Sequence, residues 1–172
     1  MQLLYLNIIL RFILVLSLQI IFFNHLPLGS WAFSHFYLLN ILLLPVQMNS
    51  LLTLLTGFFL GISVDFSEGT LGLFTATCLF SAYFRIKLLE WMKPYDGYLP
   101  DEIPTFITRG WSWWLNFFLI LTITHILFFN LLQGFENFSW TWFLGNTIFS
   151  TIYTFFTILM FMFMMLLFSN KK

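Results

Sequence analysis

The stretch Gly57-Phe-Phe-Leu-Gly61-Ile-Ser-Val-Asp65 decides how this chain is read. At helical spacing, residues 57, 61 and 65 fall on one face. A Gly every fourth residue lets a neighbouring backbone come close, and a carboxylate on the same face is costly near lipid unless it meets protein or water. The stretch therefore predicts a membrane helix pressed against another helix. The motif itself leaves open whether that neighbour belongs to the same chain, to a second copy in a homodimer or to a different protein.

The composition around this stretch points the same way. Apolar residues fill 60% of the 172 positions and charged residues 8%, with 25 Phe, against the ~45–50% apolar and ~25% charged of a soluble domain. This predicts an all-α integral membrane protein. At about 20 residues per span, the length accommodates about six transmembrane helices in one bundle and no separate soluble domain. Net charge is zero and the Lys and Arg residues are scattered, which argues against a nucleic-acid partner. The single Cys78 allows no intrachain disulfide and no cysteine-built metal site. The amino-terminal apolar segment lacks the pattern of a cleavable signal and is expected to remain as the first span.

Six hydrophobic segments are predicted, at about 3–23, 31–46, 50–64, 70–83, 111–132 and 140–168. Pro27 and Gly29 separate the first two, Pro45 and Asn49 punctuate the second and third, and Gly69 opens the fourth. A polar loop at 85–109, with three prolines, divides the halves. Segments two to four are short, roughly 21–24 Å as helix, so tight hairpins are expected. With six spans, both termini share a side with that loop. This side then collects Arg85, Lys87, Lys93, Arg109, Lys171 and Lys172, and the opposite side collects no Lys or Arg. The asymmetry predicts that the loop and both termini are cytoplasmic. The tryptophans fit interfacial belts, with Trp31, Trp140 and Trp142 at the outer ends and Trp91, Trp111, Trp113 and Trp114 at the cytoplasmic face.

Polar residues inside the spans are the candidates for function. Asp65 suits three roles: capping the next helix together with Ser67 and Glu68, docking a partner, or holding a ligand. Arg11, roughly 12 Å along the first helix, either snorkels to the cytoplasmic surface or turns inward to an acid that the sequence does not name. His125, close to Thr122 and Thr124, reads as a hydrogen-bonded packing residue; a proton relay would need an acid at its depth, and Glu136 is the nearby candidate in sequence. The run Arg85 to Lys93 reads as an interfacial helix on the anionic inner leaflet, and Asp101 with Glu102 as a solvated turn. The sequence contains no Gly-rich phosphate cradle, no nucleophile beside a base and no acid pair suited to hydrolysis. Neither catalysis nor a metal or other cofactor is expected.

Several of these pieces occur together in a known order. Ile41-Leu-Leu-Leu-Pro45, then Gly57 to Ser67, then Gly69-Thr-Leu-Gly72, resembles the central signature of the rod shape-determining MreD family in the form seen in Bacteroidetes-type bacteria. Pro94-Tyr-Asp-Gly-Tyr-Leu-Pro100, Ile103-Pro104-Thr105, and Thr124-His125 followed by Phe128-Phe129-Asn130 extend the likeness over most of residues 35–165. Phe74 departs from the pattern, since members of this group often carry His there. The resemblance implies a non-catalytic component of the bacterial inner membrane that serves the machine elongating the peptidoglycan wall. Its partners would be a periplasmic MreC-like scaffold and, through it, the MreB filament and the wall synthases. It also implies a six-helix arrangement similar to the substrate-binding subunits of energy-coupling-factor transporters.

Two functions of different class follow. In the first, the chain is a structural docking protein, with Gly57, Gly61, Asp65, Gly69 and Gly72 as helix-packing or partner-docking residues. In the second, it is a substrate-binding membrane subunit of a transporter. Such subunits resemble one another in an Ala-xxx-Ala face on the first helix, whereas that helix here contains no Ala. A lipid flippase would need a polar route, which Arg11, Asp65 and His125 furnish poorly.

Overall fold

The computed structural model describes residues 2–25, 32–99, 101–135 and 139–169. The described chain is helical, without strands: α1 (Gln2–Ile21), a 3-10 turn (Phe23–His25), α2 (Leu38–Leu42), α3 (Ser50–Glu68), α4 (Leu73–Trp91), α5 (Phe106–Arg109), α6 (Trp111–Gln133) and α7 (Trp140–Ser169). Among the described residues, α3, α6 and the Trp140–Met165 part of α7 are long and apolar enough to cross a membrane. Leu6–Ile21 of α1 is a shorter apolar helix. The chain is a helical membrane protein.

Helices α1, α6 and α7 lie where hydropathy puts them. Helices α3 and α4 are longer than the expected 50–64 and 70–83. Asn49 caps α3 by accepting from the Leu51 N–H at 2.8 Å, and the helix ends at Gly69, whose left-handed φ of 67° turns its N–H back to the Asp65 carbonyl. Helix α4 continues to Trp91 because Leu88 and Leu89 on its last turns are buried, while Lys87 pairs with Glu90 at 3.1 Å on the outside. The interfacial helix expected from Arg85 is therefore the end of α4. Its first residue, Arg85, is buried rather than laid on a leaflet.

The second expected span is the largest correction. Trp31 lies outside the described residues. Residues 32–35 have no regular structure, 36–37 form a turn, and the helix proper is the five residues of α2. Residues 34–45 are nevertheless buried throughout. Asn24, just before the segment, bonds to Glu68 at the C-terminal end of α3, and Val46 at its far end bonds to the Glu102 carbonyl beside the start of α3. Residues 32–46 thus run the length of α3 through the interior of the bundle without being a long helix.

Around this segment the core closes. Phe36, Tyr37, Leu38, Leu39 and Ile41 pack with Leu60 and Val64 of α3, Phe74 of α4, Phe117, Phe118 and Leu121 of α6 and Ile158 of α7. Trp114 is a core residue at 2% exposure, not an interfacial one, whereas Trp91 and Trp140 are exposed as expected.

Candidate functional site

An irregular segment inside an apolar bundle must find partners for its backbone outside itself, because each unpaired N–H or C=O costs several kcal/mol in a medium without water. The helices supply them. Ser150 and Thr154 of α7 accept from the Phe33 and His35 N–H groups at 3.1 and 3.0 Å. Gln19 of α1 accepts from the Tyr37 N–H at 3.1 Å and donates to the Ser34 carbonyl at 2.9 Å. At the other end, the Arg85 guanidinium of α4 donates to the carbonyls of Leu44 and Pro45. These polar side chains, scattered through apolar helices, share one task.

The segment also carries the centre of a buried polar chain. His35 Nδ1 is 2.8 Å from the Tyr37 hydroxyl, which is 2.9 Å from His125 Nε2. His125 Nδ1 lies 2.7 Å from Ser81 Oγ, and Ser81 donates to the Thr77 carbonyl at 2.8 Å. All of these residues are buried. The Ser81 donation sets the protons for the rest. His125 must carry its proton on Nδ1, Tyr37 donates to His125 Nε2, and His35 donates from Nδ1 to Tyr37. Both imidazoles are neutral in this arrangement. The acceptor left over is His35 Nε2, which has no partner among the described residues; the His35 ring packs against that of Phe129 at a 4.8 Å centroid distance. Phe74 packs against Tyr37 and Phe129 beside the chain.

The glycine face is spent within the molecule. A Cβ on Gly61 would lie 2.3 Å from Thr75 Cα and 2.8 Å from the Phe74 carbonyl oxygen of α4. One on Gly57 would lie 2.9 Å from the Cys78 carbonyl oxygen and 2.8 Å from Ala82 Cβ. The neighbour that the sequence left unnamed is α4, so these two glycines are packing residues and are not free to dock a partner. Asp65 completes the contact as a cap for α4. Its carboxylate accepts from the N–H groups of Phe74 and Thr75 at 3.0 and 2.8 Å, and from the hydroxyls of Thr70 and Thr75. Four donors fill it, which leaves no vacancy for a ligand. Gly69 and Gly72, both at positive φ, shape the turn between the two helices.

The loop after α4 differs from expectation. Glu102 is buried and paired with Arg109, not solvated. Arg109 also donates to the Gly97 carbonyl at 3.1 Å and lies 5.0 Å over the Tyr98 ring. Burial alone would raise the Glu102 pKa. The Arg109 guanidinium and the Leu99 N–H outweigh that and hold its carboxyl below the ordinary 4.5.

Of the residues singled out in the sequence, Gly57, Gly61 and Asp65 meet at one helix contact, and His125 lies in the polar chain. Glu136, its suggested partner, lies outside the described residues. Arg11 joins none of these groups. His35, Tyr37, Ser81 and Gln19 went unrecognised, and Arg85 was expected on the inner leaflet; the signal was a His and a Tyr two residues apart inside a segment too short for an upright span. Among the described residues no group of three His, Cys, Asp or Glu side chains gathers as a metal site would require. The polar chain ties residues 33–37 to α4 and α6. Comparison with protein-family models, with characterised proteins and with solved structures gives no match.

Proposed function

We propose that this chain is a non-catalytic membrane component of the cell-elongation machinery, of the MreD kind. It docks an MreC-like scaffold, and through it the MreB filament and wall synthases. In this reading the body makes six passes through the bacterial inner membrane, residues 32–46 being an irregular second pass, and the basic loop and both termini are cytoplasmic.

One observation carries the reading: the polar groups of the interior are spent tying its own elements together, while one end offers an apolar shelf. At the turn between α3 and α4, Leu71 is fully exposed, and Phe66 and Phe135 are 92% and 85% exposed. An open groove of about 890 Å³ lies between Leu71, Ala76, Leu132 and Phe135. Gly69 and Gly72 shape this turn, and the Gly69-Thr-Leu-Gly72 piece belongs to the family resemblance. The docking surface is thus moved from the Gly57/Gly61 face to the turn beyond it.

A photo-crosslinking residue at Leu71, in cells that also make an MreC-like protein, tests this. The expected result is an adduct with that protein from position 71 and none from Phe59, on the exposed apolar face of α3. Leu71→Asp should lower co-purification about tenfold, the size of one lost anchor contact. Absence of the adduct together with undiminished co-purification of the Asp variant would overturn the reading.

A further inference from the structure

We propose that Arg11 holds the phosphate of an anionic phospholipid in a lateral groove at the basic end of the bundle. The Nε and one terminal nitrogen of its guanidinium are shielded from solvent and have no hydrogen-bond partner among the described residues. Snorkelling, the usual resolution for a cation in a span, leaves these two nitrogens without a partner.

Its surroundings intensify the need for an anion. Arg85, the other cation set into the bundle at this end, is committed to the Leu44 and Pro45 carbonyls. Of the acids at this end, Glu102 pairs with Arg109 and Glu90 with Lys87, while Asp96 and Asp101 are exposed. A half-buried cation with no carboxylate bonded to it among the described residues is a costly arrangement of charge in a bilayer.

The space beside Arg11 has the shape of an amphiphile's site. A groove of about 240 Å³ runs between Arg11, Leu43, Ile103, Thr105, Phe106 and Met162. On its rim, Ile107 and Met165 are 66% and 49% exposed, so it is open at the lateral surface of the bundle. The Thr105 hydroxyl is engaged with Thr108. The guanidinium is thus the one free polar group in a mostly apolar wall, and it pairs readily with a phosphate oxygen. A free anion would gain nothing from that wall, whereas a phospholipid lays its glycerol and first methylenes against it. Lys93, also at this end, adds long-range attraction to an anionic leaflet. This surface lies at the opposite end of the bundle from the shelf at Leu71, so the two proposals stand or fall separately.

The test uses the full chain in a neutral maltoside detergent, with tryptophan fluorescence reporting its melting. Dioleoylphosphatidylglycerol should raise Tm by roughly 5 °C at saturating amounts, and dioleoylphosphatidylcholine and inorganic phosphate should not. Arg11→Gln should respond equally to the two lipids. Should that variant fail to fold, Ile107→Trp, which fills the groove from its exposed rim and keeps Arg11, should lose the same selectivity. Equal responses of the unaltered protein to both lipids, a rise with phosphate alone, or full selectivity in Arg11→Gln or Ile107→Trp would each overturn the proposal.

Discussion

Gly61 of α3 and Thr75 of α4 are in backbone contact: the missing Cβ of Gly61 would lie 2.3 Å from Thr75 Cα. No side-chain rotation relieves a clash with a Cα atom, so any substitution must push the helices apart, and Asp65, one turn along, would lose its hold on Phe74 and Thr75. Gly61→Ala is expected to destabilise the protein by roughly 1–3 kcal/mol, read as a lower Tm in detergent. A Tm within a degree of the parent would show that α4 does not lie on this face.

Asp65 works through charge and through four donors at once. In Asp65→Asn an amide NH₂ replaces one of the carboxylate oxygens that accept from the fixed N–H groups of Phe74 and Thr75, and about 1–3 kcal/mol is lost. Glu68→Gln, one turn nearer the exposed end, should change Tm little. If the two variants melt alike, the capping role of Asp65 is wrong.

Tyr37 is the middle of the buried chain, and its hydroxyl serves both histidines. Tyr37→Phe strands the His35 Nδ1–H donor and the His125 Nε2 acceptor, each at about 1–3 kcal/mol. Once Tyr37 is Phe, His125→Phe should cost less than it does alone. The double-mutant cycle should show a coupling of roughly 0.5–3 kcal/mol, and additivity would deny the hydrogen bond between the two residues.

The pair of Glu102 and Arg109 predicts an acid sensitivity. Because the folded protein holds the Glu102 carboxyl below its ordinary 4.5, the pair contributes stability that is fully present above that value. The contribution fades as the pH falls through the lower folded value. The unaltered protein should lose Tm on acidification below pH 4.5, and Glu102→Gln should lose less over the same interval while melting lower at neutral pH. Parallel pH profiles would contradict the linkage.

Much of the body was legible in the residues themselves. The ends of α1, α6 and α7 follow from hydropathy alone, since a helix in lipid is specified by local apolarity. The Gly57, Gly61 and Asp65 face was legible too, because a four-residue spacing is a property of the chain. The partner of that face was not: a small-residue stripe fits any neighbour that comes close, and only the packed bundle names α4.

Residues 31–46 show the other limit. Their apolar character reads the same whether the backbone bonds to itself as a helix or to side chains elsewhere. The groups that make the irregular path tenable are Gln19, Ser150, Thr154 and Arg85, up to 119 residues away in the chain. Likewise Arg85 and Glu102 read as surface charges until the fold surrounds them. Composition and spacing determined that this protein is a helical membrane body with one close helix contact. The tertiary structure alone decided which helix makes it and which backbone stays unwound, because hydrogen-bond partners in an apolar interior are chosen by proximity in space.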